Sequence, residues 1–125
     1  MRVELRESHC GMLPESMLDG MALAQRGRDA EMAGRMIAAA GDGAVLITGA
    51  GHARTDRGAP VQLHARDANA TVRSIGFVEV VPDRTNPAEY AERFGTESLP
   101  FDAVWFVPTV QRAEDMCASL RHHAH

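Results

Sequence analysis

The stretch Val45–Pro60, VLITGAGHARTDRGAP, decides how this chain is read. Val45, Leu46, Ile47 and Thr48 form an apolar, β-prone run. Gly49-Ala50-Gly51 then turns the backbone and delivers His52 at the exit of that run. Glycine permits such a turn and lets the backbone approach a ligand closely. Arg54, Asp56 and Arg57 follow at once, and Gly58-Ala59-Pro60 makes the next turn. Open α/β folds bind ligands beyond the carboxyl ends of their strands. A short strand that ends in glycines and then sets out polar groups fits that plan, so His52 is the first candidate for a functional site.

Outward from this stretch the chain alternates. Upstream, Pro14-Glu15-Ser16 reads as a helix start, with proline and an acid in the first turn. Apolar residues at Met17, Leu18, Met21, Ala22 and Ala24, then Met32, Ala33, Met36, Ile37 and Ala40, keep helical spacing. Gly27 is a place for that helix to bend or divide, and Gly41-Asp42-Gly43 ends it. Residues Met1–Leu13 are mixed, with a loop at Ser8–Gly11. Ala44–Thr48 reads as a first strand, apolar without interruption and suited to burial on both faces. Downstream come a short helix around Val61–Leu63, a second strand over Val72–Val81 and a short helix over Pro87–Phe94. A third strand follows at Ala103–Val107, and a terminal helix at Ala113–Arg121. Alternation of this kind predicts the α/β class, with a small three-stranded parallel or mixed sheet flanked by helices. The whole chain, residues 1–125, reads as one α/β domain or as part of a larger one.

Composition narrows the function classes. The chain has 125 residues, 45% of them apolar, and a net charge of -4. That balance argues against nucleic acid, whose phosphates call for a basic surface. All 13 basic residues are arginine, whose planar fork suits carboxylates and phosphates. Two cysteines, Cys10 and Cys117, lie near opposite ends. They do not make a disulfide-stapled fold, and a single bridge between them is one open alternative. No apolar run approaches the length of a membrane span, and MRVELRESHCG lacks the apolar core of a signal peptide. As written the chain reads as soluble, with a cell-envelope or periplasmic place if a signal or lipid anchor lies outside it.

The ordered set Ser8-His9-Cys10-Gly11, Gly20-Met21, Ala24-Gln25-Arg26, Arg28-Asp29-Ala30 and Met32-Ala33 resembles the ChaN-like haem-binding uptake family. So does Gly49-Ala50-Gly51-His52-Ala53-Arg54, with Asp56, Gly58 and Pro60 behind it. The ending Phe101–Pro108, FDAVWFVP, resembles that family's last strand. The likeness is to the C-terminal half of a ChaN-like domain and runs from about Glu7 to Leu120. Gly49 and His52 match the Gly-x-x-His element shared across the superfamily of Tiki proteases and TraB-like proteins. The Gly-Glu-x-His type motif of the family's N-terminal half has no counterpart here. The resemblance implies haem binding in iron uptake, with two subunits associating around the haem.

The candidate ligand residues are His9, His52, Arg28, Asp29, Arg54 and Asp56. Imidazole ligates iron or zinc, exchanges protons near neutrality or hydrogen-bonds a ligand, so His52 has the strongest case. His9 beside Cys10 is a second possible axial ligand, against the plainer reading of an exposed loop histidine. Arg28 is a candidate partner for a haem propionate, and Asp29 stands beside it. Their plainer reading is a solvated helix face with ion pairs at helical spacing. Asp56 is placed to orient the His52 ring, or else to form an ion pair with Arg54. Met12, Leu13, Met17 and Met21 are the candidate walls of an apolar slot. The methionines and Tyr90 are possible iron ligands whose plainer role is packing. His122, His123 and His125 read as a tail.

Three functions compete on these residues. The first is a haem-binding protein, a homodimer with haem near His52. The second is a Tiki-like hydrolase with His52 in acid–base or metal-assisted work, which needs a carboxylate partner such as Glu7 or Glu15. The third is a truncated remnant kept as an interaction subunit.

Overall fold

A computed structural model describes residues 2–110 and 117–118, apart from the side chain at position 3. The N-terminal segment, mixed in sequence, forms a helix, α1 (Arg2–Ser8). It stops where Cys10 and Gly11 take left-handed φ values of 59° and 71°. Helix α2 (Glu15–Ala38) starts on Pro14 as expected. It continues through Gly27, which does not divide it. A single glycine costs a helix only about 1 kcal/mol, which packing can override. Arg2 and Arg6 reach across from α1 to Glu15, and Arg2 also reaches Asp19, clamping the start of α2.

Beyond α2 lie α3 (Ala50–Ala53) and α4 (Ala59–Arg66). Helix α4 packs along α2, where Gly34 leaves room for the Arg66 side chain on its way to the Ala30 carbonyl. The buried apolar residues are few: Leu18, Ala33, Ala59, Leu63, Val78, Tyr90 and Ala91.

The sheet has two strands, β1 (Ile75–Glu79) and β2 (Ala103–Val107), paired in parallel with Phe77 opposite Trp105. The expected three-stranded sheet is therefore corrected. Ala44–Thr48 is extended but pairs with no strand among the described residues. A strand needs a neighbour for its backbone groups, and β1 spends one edge on β2 while an open cleft separates its other flank from this run. Burial on both faces also fails, since Val45 is 91% and Ile47 94% exposed. Thr48 ties the run to α2 through a 3.7 Å contact from its hydroxyl to the Met32 sulfur. The second strand is shorter than Val72–Val81, because its pairing to β2 spans only five residues.

Between the strands, Pro87–Phe94 forms two short 3-10 helices rather than one helix. Tyr90 is buried there. Its hydroxyl donates to the Arg84 carbonyl and accepts from the Val81 amide, both at 3.0 Å. That commits it to packing. One face of the sheet is covered, with the Phe101 ring lying on Gly76. The other face leaves Ile75, Phe77 and Trp105 open to solvent. Most of the expected terminal helix, and the histidines at 122, 123 and 125, lie outside the described residues.

Gly58 is the most crowded glycine among the described residues. A Cβ there would stand 2.2 Å from the His52 carbonyl oxygen and 2.8 Å from that of Arg54. Both are backbone atoms that cannot swing aside. Gly58→Ala is expected to cost about 1–3 kcal/mol, the scale of other overpacking substitutions. The check is the urea midpoint, and an unchanged midpoint would contradict the packing described.

Candidate functional site

His52 sits on α3, a single turn held behind the glycines, and not on an open loop. Its Nδ1 lies 2.6 Å from Asp29 Oδ1. Asp29 is 1% exposed, and a carboxylate so buried needs a compensating partner. Gln25, one helical turn before Asp29 on α2, places its amide nitrogen 2.9 Å from His52 Nε2. Residues four apart on a helix share a face. So α2 presents an acceptor and a donor together to one imidazole. The ring donates from Nδ1–H to the carboxylate, and its Nε2 lone pair accepts from the Gln25 amide. A carboxylate on Nδ1 fixes the tautomer and makes Nε2 a stronger ligand or base.

His52 forms part of the wall of a cleft of about 360 Å³. Its other walls are the whole Ala44–Thr48 run, Met36 on α2, Pro60 and Leu63 on α4, and Ile75 and Phe77 on β1. The apolar slot expected near His52 exists. Its walls are not Met12, Leu13, Met17 and Met21, none of which lines it. Those four lie toward the start of α2, the end clamped onto α1.

Arg54 and Asp56 belong to a different network. Arg54 is 1% exposed and grips Asp56 with both prongs, Nε to Oδ1 at 2.7 Å and Nη2 to Oδ2 at 2.6 Å. Its Nη1 bonds Glu4 Oε1 at 2.5 Å and the Phe94 carbonyl at 2.9 Å, and the guanidinium lies 5.7 Å from the Phe94 ring centre. Arg57 also pairs with Glu4. Asp56 therefore holds Arg54, and Asp29 takes the orienting role that Asp56 was a candidate for. The Arg54 hydrogen bonds hold the Asp56 carboxyl below its usual range, outweighing the opposing effect of burial.

A depressed folded value stabilises the fold above the unfolded carboxylate's range and is lost as pH falls. Asp56→Asn is expected to lower the urea midpoint at neutral pH and to flatten its decline below about pH 4. Identical pH profiles for the two proteins would contradict that.

The remaining candidates separate. His9 Nδ1 bonds the Leu5 carbonyl at 2.8 Å and Ser8 Oγ at 3.1 Å, closing the end of α1. It does not line the His52 cleft. Arg28 is exposed, lines no part of that cleft, and makes no ion pair among the described residues. Cys10 is joined to Cys117. No cluster of three or more His, Cys, Asp or Glu fit for a metal ion occurs among the described residues. Sequence reasoning missed Gln25 and Ser74. Ser74 is buried and donates its hydroxyl to the Ala53 carbonyl, tying the end of α3 to β1. The four-residue spacing of Gln25 and Asp29 was the one available signal.

Comparison with known proteins adds a family. A family model described as haem-binding uptake, Tiki superfamily, ChaN matches residues 1–63. That span carries Gln25, Asp29 and His52, and stops short of the sheet; the likeness read in Phe101–Pro108 lies outside it. No curated protein and no solved structure matches.

Proposed function

The chain belongs to the haem-binding uptake, ChaN family of the Tiki superfamily, and on that footing we propose that it binds haem in the cleft beside His52. One observation carries this reading: a histidine whose Nδ1 is held by a buried carboxylate forms part of the wall of an apolar cleft. The residues fit the group. Imidazole is a common axial ligand of haem iron, and ligand sites are mostly apolar concavities with a few placed polar groups. Asp29 orients the ring and strengthens Nε2 as a donor. Gln25 must withdraw its amide from Nε2 for ligation. The Ala44–Thr48 run, Leu63 and Phe77 offer apolar surface that a bound porphyrin would cover.

A second copy supplies the cover we assign to the bare face of Ile75, Phe77 and Trp105. Parallel sheets are normally covered on both faces, so haem held at a homodimer interface is part of this reading. The Cys10–Cys117 bridge supports an oxidising location such as the cell envelope. No helix among the described residues is long and apolar enough to cross a membrane.

The Asp29–His52 pair would also serve a hydrolase as an oriented base. The group facing Nε2 is an amide, however, and Ser74 is engaged with the Ala53 carbonyl. Glu15, a candidate carboxylate partner, is held by Arg2 and Arg6. Haem binding is the better supported reading. Ferric haem added to the purified protein is expected to give a saturable Soret shift complete at equimolar ratio. A shift that grows linearly without saturating would reject the proposal.

A further inference from the structure

The His52 cleft shares part of its lining with another cavity. A second cavity, of about 370 Å³, adjoins it, and Pro60, Val72 and Arg73 line both. The two differ in chemistry. The first is walled mainly by aliphatic and aromatic side chains. The second is polar, with Thr55, His64 and Thr71 among its lining residues. An apolar cavity and a polar one thus lie on either side of Pro60, Val72 and Arg73.

Arg73 lines both cavities, and among the described residues its guanidinium keeps donors to spare. Arg54 is consumed by two carboxylates and a carbonyl, and Arg57 by Glu4. Arg66 is turned to the Ala30 carbonyl. The Arg73 guanidinium makes one bond, at 3.3 Å, to the carbonyl of its own neighbour Val72, and no ion pair among the described residues. Asp102, the acid in the second cavity, directs Oδ2 to the Ser74 amide at 2.7 Å.

We propose that Arg73 is the residue that selects the carboxylates of the ligand, pairing with the propionates of a porphyrin whose apolar body fills the His52 cleft. This assignment rests on the haem reading and replaces Arg28 in the propionate role. A planar guanidinium binds carboxylate through two parallel hydrogen bonds, which a point charge does not reproduce. An exposed arginine is also cheap to replace without unfolding the protein.

The test compares ferric haem with its dimethyl ester, in which the propionate charges are removed. Wild-type protein is expected to prefer the diacid by about tenfold, the scale of one charge-assisted bidentate pair. Arg73→Gln should abolish the preference, Arg73→Lys should keep part of it, and Arg28→Gln should leave it intact. His52→Ala should weaken both ligands without changing their ratio. Equal binding of diacid and ester by the wild type, or a preference that survives Arg73→Gln, would overturn the Arg73 assignment and leave haem binding standing. Binding of neither ligand would overturn both.

Discussion

His52→Ala is expected to weaken ferric haem binding by about 100-fold or more, since removing a partner that merely orients a ligating residue already costs 10–100-fold. The substitution removes the imidazole that forms part of the cleft wall and leaves the apolar walls in place. Residual binding should therefore be weak and lack the spectrum of an imidazole-ligated iron. Asp29→Asn is the graded companion. It keeps the shape of the buried side chain but loses the charge that faces Nδ1 at 2.6 Å. Its expected cost lies within that 10–100-fold range. Titration followed at the Soret band measures both. Wild-type affinity in His52→Ala would remove this histidine from the site.

The second large effect is on stability. The Cys10–Cys117 bridge closes a loop with a sequence separation of 107. In the chain-entropy model a loop of that length is worth about 4–5 kcal/mol, by restricting the unfolded chain. The described core is small, built on residues such as Leu18, Leu63 and Val78. A contribution of that size is a large share of what a domain this small can hold. Cys10→Ser is expected to lower the urea midpoint markedly, and reductant should do the same to the wild type but not to the variant. Equal midpoints for oxidised and reduced protein would contradict this.

Some of this molecule was legible in its sequence, for identifiable reasons. The glycines around Ala50 announced that His52 would follow an extended run, because glycine placement is a local backbone effect. The long apolar periodicity announced α2, and AVWFV announced β2. Asp29 was visible only as half of an Arg-Asp pair on a helix, where solvation is the ordinary outcome. Its burial depends on His52, 23 positions away. Arg54 shows the same limit more strongly. A charged residue is almost never fully buried unless paired, and here one partner, Glu4, lies 50 positions upstream. The first strand failed for a related reason. Ala44–Thr48 has the composition of a strand and takes the extended shape, but pairing is decided by what stands beside it. The cleft walls shifted from the Met17 end of α2 because Arg2 and Arg6 fasten that end to α1.

A crystal structure of the protein with ferric haem decides the matter. Electron density should place the iron on His52 Nε2, with the Gln25 amide withdrawn, Asp29 still on Nδ1, and the porphyrin between the Ala44–Thr48 run and β1. Iron ligated by another residue, or haem seated outside that cleft, would contradict the site described.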